Sequence, residues 1–167
     1  MMRLLLSDFA SGYKDGDEIK IMDVQSAFLY GKARRTIYIE LPEQDEKFGR
    51  NFVGKLERAL YGTRDASLIW QEELRTILEQ MGFESSVLEP SIYFHSNGVK
   101  IMVHVDDFLG TGPGKYLNDL EEKLLKKYEI KVNTLSPKLA KSGEYLGRRI
   151  HWGEEGLEIE GDPKHVS

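Results

Sequence analysis

Two adjacent carboxylates, Asp106 and Asp107, follow the apolar run 101–105 and directly precede Phe108-Leu109-Gly110. Paired anions at the end of an apolar strand repel each other and lose hydration, an arrangement that a cation between them relieves. Hard divalent ions such as Mg²⁺ bind through one or two carboxylates plus substrate phosphates. A two-ion site, with the ions about 3.5–4 Å apart, needs a third carboxylate nearby. Asp23 is the candidate: residues 18–24 alternate so that Ile19, Ile21 and Asp23 share one strand face, and the strand ends on the acid. An Asp-Asp pair alone is a weak signal, because such pairs also terminate strands and fill turns. The second apolar strand ending in aspartate is what gives the metal reading its weight.

Other chemistry falls away. The run Gly110-Thr111-Gly112-Pro113-Gly114-Lys115 places three residues between Gly110 and Gly114 where a phosphate loop needs four, and Tyr116 follows the lysine where Ser or Thr is required. It reads as a strand-to-helix loop. The four histidines, at 95, 104, 151 and 165, lack zincin spacing, and His104 reads as a packed or half-exposed neighbour of the carboxylates. With no cysteine, thiol catalysis, Cys-ligated zinc and iron–sulfur clusters are excluded. Lys32, Arg34 and Arg35 form a basic cluster that suits either a template backbone or a solvated loop. The net charge of −5 argues against a stand-alone nucleic-acid binder, which needs a surplus of Lys and Arg on one face.

The elements that must carry these residues follow from period and punctuation. The length of 167 residues and the 40% hydrophobic fraction suit one domain with its own core. No apolar stretch approaches the roughly 20 residues that span a bilayer, and the N-terminus has no cleavage-site pattern, so the expectation is a soluble intracellular chain with no membrane partner. A short N-terminal helix precedes the strand 18–24, with further strands at 36–41 and 52–56. Ala66, Trp70, Leu74, Ile77, Leu78 and Met81 predict a helix over 66–81 with Asp65 as N-cap. Asn97-Gly98 predicts a hairpin between 91–95 and 99–105, whose Val99, Ile101, Val103 and Val105 form a buried face. Leu117, Leu120, Leu124 and Tyr128 mark another amphipathic helix, with Lys123, Lys126, Lys127 and Lys131 on its wet side, and 145–152 with 157–160 a final hairpin. This order predicts an α+β fold with a mainly antiparallel sheet and helices on one side.

Four blocks then carry a resemblance. Met22-Asp23-Val24-Gln25-Ser26-Ala27-Phe28-Leu29-Tyr30-Gly31 resembles the Met-Asp-Val-Lys-Thr-Ala-Phe-Leu-Asn-Gly block of copia-type retrotransposon reverse transcriptases. Leu60-Tyr61-Gly62-Thr63-Arg64-Asp65-Ala66-Ser67, followed by Trp70, is similar to that family's Leu-Tyr-Gly-Leu-Lys-Gln-Ala-Pro-Arg-x-Trp. His104-Val105-Asp106-Asp107 stands where the family has Tyr-Val-Asp-Asp, and Tyr145-Leu146-Gly147-Arg148-Arg149-Ile150 resembles Phe-Leu-Gly-Ile-x-Ile. Four blocks in the family's order make the match specific where any one would be weak.

The resemblance implies a polymerase palm with a ferredoxin-like core and part of the fingers. The N-terminal fingers strands, thumb, RNase H and integrase would belong to a longer Pol polyprotein, the thumb starting near residues 164–167. It implies that Asp23, Asp106 and Asp107, with the Val24 carbonyl, hold two Mg²⁺ ions, Mn²⁺ being an alternative. The reaction implied is RNA-directed DNA synthesis from a deoxynucleoside triphosphate (dNTP) on an RNA or DNA template with primer. Phe28 would exclude a ribose 2′-hydroxyl; Tyr61, Gly62 and Arg64 would contact the incoming nucleotide and template base; His104, Leu146 and Gly147 would hold the primer end. His104 in place of Tyr, and Asp65 and Ser67 in place of Gln and Pro, are departures that leave a second reading open, a non-catalytic remnant acting as a binding module. A nucleotide cyclase would lack the 61–62 and 146–147 blocks.

Overall fold

The computed structural model describes residues 1–161; residues 164–167, where a thumb was expected to start, and His165 lie outside the described residues. The chain forms two compact units, Met1–Gln25 with the chain from Leu78 onward, and Ser26–Ile77.

The first unit is built on a six-stranded sheet in the order β4-β5-β6-β7-β1-β8. Its strands are β1 (Asp17–Val24), β4 (Phe83–Ser85), β5 (Ile92–His95), β6 (Lys100–His104), β7 (Asp107–Pro113) and β8 (Ile130–Leu135). All the neighbouring pairs are antiparallel. One face carries Lys20 and Met22 of β1 and meets helix α3 (Gly114–Leu125), where a Cβ at Gly110 would lie 3.1 Å from the Leu117 side chain. Lys20, almost fully buried, pairs there with Glu121 of α3.

Helix α1 (Met2–Gly12) takes the other face. Its Leu5, Leu6 and Phe9 share a core with Ile19, Leu109 and Leu135. Tyr145 and Ile150 join that core from a three-stranded sheet made of β9 (Ser142–Tyr145), β10 (Arg148–Trp152) and β11 (Leu157–Ile159). The sheet is therefore covered on both faces, α1 being an addition to the backing expected from sequence.

The segment 110–114, expected to be a loop, is strand β7 running into the first residue of α3. Glycines read as punctuation, yet here they permit close approach: Gly112, at φ +135°, lies where a Cβ would come within 2.9 Å of the Gly98 carbonyl oxygen. Two other readings change. The apolar stripe 99–105 is fully buried at Val99, just before β6, and at Ile101, but only partly at Val103, and Val105 leaves the strand for the turn. The expected strand 145–152 is two strands, broken at Leu146-Gly147. Strands β4 and β9 went unseen because each is short, and β8 because its charged start, Lys131, reads as a continuation of the preceding helix.

The second unit holds a one-turn 3₁₀ helix (Ala27–Tyr30), the ribbon β2 (Tyr38–Glu40) with β3 (Val53–Lys55), and most of α2 (Ala66–Gln80), whose last turn belongs to the first unit. The Asp65 carbonyl accepts the first helical bond, from Ile69 N–H, as an N-cap should. Gly31 is required beside this helix, because a Cβ there would meet the Ile69 side chain. Ala59, Ala66 and Ile69, with Phe28, form the small core of this unit.

Candidate functional site

Strands β1 and β7 bring the acids together. Asp23 and Asp107 are direct cross-strand partners, so their side chains leave the same face of the sheet. Asp106 occupies the tight β6–β7 turn, and its carbonyl accepts a hydrogen bond of 3.0 Å from Val24 N–H, tying the turn to the end of β1. Val105 beside it sits at φ +57°, costly for a β-branched residue and the kind of strain that persists where surrounding structure enforces a turn.

The register places His104, Asp107, Asp23 and Lys131 in one transverse row across four strands. His104 is exposed, as is Lys131, which belongs to β8 and not to the wet side of the preceding helix. Gln25 Nε2 donates a 2.5 Å hydrogen bond to Asp23. Burial, then the negative charges of Asp106 and Asp23, push the Asp107 carboxyl above the usual carboxylate value, while His104 opposes them. This is the uncompensated negative charge that a hard cation would relieve, and the donors are carboxylate oxygens, so the residues fit a divalent ion. Among the described residues no three His, Asp or Glu side chains are already gathered at ion-holding distances.

The path of β9 can be followed over this face. Ala140 bridges Leu135, while Gly143 packs where a Cβ would lie 2.8 Å from Asn133 Nδ2 and 2.9 Å from Ile21 Cδ1. In register, Leu135, Asn133 and Lys131 oppose Ile19, Ile21 and Asp23, so β9 advances towards the carboxylate end. Its turn, with Leu146 at φ +50° and Gly147 at φ +71°, emerges there, and Leu146 is exposed at the tip.

In the second unit, Phe28 stacks on Tyr61 with ring centroids 4.4 Å apart and planes inclined by 36°. Gly62, at φ +88°, turns the chain so that Arg64 is exposed. The basic cluster is largely engaged within this unit: Arg34 pairs with Glu72, and Arg35 grips Asp65 through two bonds of 3.1 and 3.0 Å.

The reverse transcriptase (RNA-dependent DNA polymerase) profile matches residues 1–162. The chain belongs to the reverse transcriptase family. Among curated relatives, a transposon Ty5-1 protein of Saccharomyces cerevisiae is 31% identical over 141 residues, 81% of this chain and 44% of that protein. A retrovirus-related Pol polyprotein from transposon RE1 of Arabidopsis thaliana is 35% identical over 118 residues, 68% of this chain and 8% of the polyprotein. The corresponding polyprotein from transposon TNT 1-94 of Nicotiana tabacum is 31% identical over 120 residues, 68% of this chain and 9% of its own length. The chain thus spans less than half of the Ty5-1 protein and under a tenth of either polyprotein. No helix among the described residues is long and apolar enough to cross a membrane.

Among the residues that sequence reading overlooked, Gln25 bonds Asp23 and Lys131 lies opposite it across the β1–β8 ladder. Gln25 stands where the family block has Lys and Tyr145 where it has Phe, so both departures were visible in the aligned blocks. Lys131 had no such signal, because β8 was not recognised as a strand.

Proposed function

We propose that this chain is the palm, with part of the fingers, of an RNA-directed DNA polymerase from a copia-type retrotransposon Pol polyprotein. The observation that carries the reading is the pairing of Asp23 with Asp107 beside the Asp106 turn, within a chain that matches the reverse transcriptase family over nearly its whole length. Asp23, Asp106 and Asp107, with the Val24 carbonyl, would hold two Mg²⁺ ions, and the chemistry such ions would supply there is a lowered pKa of a primer 3′-hydroxyl and neutralisation of charge on the dNTP as pyrophosphate leaves. The protein's part is positioning. The β1–β7 ladder sets two carboxylates on one face, and the bond from Val24 N–H to the Asp106 backbone carbonyl holds the turn that carries the third. Leu146 and Gly147, at the tip of the β9–β10 turn, hold the primer end together with His104, while Tyr61, Gly62 and Arg64 contact the nucleotide and template base. The remaining Pol domains, thumb, RNase H and integrase, act with it in the parent polyprotein, and the basic fingers and thumb supply the grip on the duplex that a net charge of −5 denies this chain. Copying takes place in the cytoplasm, in virus-like particles, with the nucleus as the alternative compartment.

The test is extension of a DNA primer on an RNA template with Mg²⁺ or Mn²⁺. Metal-dependent addition of dNMP supports the reading; a folded chain that adds nothing, alone or rejoined to the rest of its polyprotein, favours the non-catalytic remnant. Phe28, half-buried and braced by Tyr61, gives a second expected outcome. Phe28→Val should admit ribonucleotides, narrowing the dNTP preference by about tenfold or more, the scale of one steric contact in a pocket. Equal discrimination by both proteins, measured by competing dNTP and rNTP, would remove Phe28 from that role.

A further inference from the structure

Tyr145 is buried, and its hydroxyl has no hydrogen-bond partner. An unpaired buried donor is costly, and native structures hold few of them, so each one calls for a physical explanation. The strand geometry says where this one lies. Gly143 faces the sheet at Ile21 and Asn133, and side chains alternate along a strand, so Tyr145, two residues on, faces the same way. Because β9 advances from Leu135 towards the Asp23–Lys131 row, Tyr145 is carried to the carboxylate end of the sheet. Burial first, and then the negative charge of Asp107, raises the pKa of the phenol.

We propose that Tyr145 is a positioning residue for the carboxylate centre, its hydroxyl donating to Asp107 when the three acids take up a divalent cation. Asp23 already has such a partner in Gln25. Tyr145 supplies the equivalent for Asp107, the half-buried acid beside two like charges. A carboxylate oriented by a hydrogen bond enters a metal centre with less freedom to lose, and outer partners of this kind typically change metal affinity about 10–100-fold. The inference rests on the reading of Asp23, Asp106 and Asp107 as a cation centre.

The experiment compares wild type with Tyr145→Phe, which removes the hydroxyl and keeps the ring. Denaturant unfolding of each is followed without metal and across a Mn²⁺ titration. The expected result is an unchanged or slightly raised midpoint without metal, because an unpaired buried hydroxyl is gone, and a Mn²⁺ requirement for half-maximal stabilisation raised about tenfold. Equal Mn²⁺ dependence in both proteins overturns the role of Tyr145 and leaves the cation centre standing. No stabilisation of wild type by Mn²⁺ overturns both. Loss of the metal-free transition in Tyr145→Phe also overturns the proposal, since it would make the hydroxyl a requirement of the fold.

Discussion

Asp106→Asn is expected to reduce primer extension by about 10³-fold or more while the protein stays folded. The amide keeps the shape of the turn, and the bond from Val24 N–H goes to the Asp106 backbone, which the substitution leaves in place. What is lost is one anionic oxygen donor. Metal stabilisation of transferring phosphoryl charge is worth several kcal/mol, and each ~1.4 kcal/mol is tenfold in rate. Stability should respond in a way activity does not. Asp107 has its carboxyl raised by burial, Asp106 and Asp23. A raised carboxyl contributes stability that is fully present below the unfolded value near pH ~4 and is lost as pH rises through the folded one. Removing the Asp106 charge lowers the folded value, so the metal-free fall in stability above pH ~4 should be shallower in Asp106→Asn. Denaturant midpoints measured from acid to neutral pH check this; an unchanged or steeper profile would contradict it.

Gly112→Ala is expected to destabilise the protein by about 3 kcal/mol. The residue adopts φ +135°, which L side chains rarely adopt, and its Cβ would meet the Gly98 carbonyl oxygen at 2.9 Å and Val99 Cα at 3.1 Å. Both obstacles are backbone of the adjoining hairpin and cannot rotate away. Strain of this type costs about 1–3 kcal/mol and overpacking about the same again. For a chain of this size, roughly 2–4 °C per kcal/mol puts the thermal midpoint about 6–12 °C lower. Gly12→Ala is the control: nothing lies within 4 Å of a Cβ at the end of α1, and the midpoint there should hold or rise. Equal effects at the two sites would contradict the close-approach explanation.

The same glycines show what could be read from sequence and what could not. Strand β1 was legible because Ile19, Ile21 and Asp23 fall at every second position of a β-rich run, and the observed register puts them on one face. The Asn97-Gly98 hairpin and α2 were legible because their signals are local: a turn needing positive φ, and a stripe repeating at helical spacing. Strand β7 was not, since Gly110-Thr111-Gly112 has turn-like composition and becomes a strand only because β1 and β6 lie on either side of it. The carboxylates were found as two strand ends; their pairing is a tertiary fact. Likewise Gln25 and Tyr145 look unremarkable as residue types, and their relation to Asp23 and Asp107 arises from a bond across two residues and from the path of β9 over the sheet. The basic cluster shows the converse, since Arg34 and Arg35, which by type suit either a template backbone or a solvated loop, pair with Glu72 and Asp65.

The most direct measurement is Mn²⁺ binding followed by the loss of the free-ion electron paramagnetic resonance signal, made on wild type, Asp23→Asn and Asp106→Asn. If the ends of β1 and β7 form one cation centre, wild type binds Mn²⁺ and each substitution weakens that binding by about tenfold or more. Superimposable isotherms for the three proteins would contradict a shared centre.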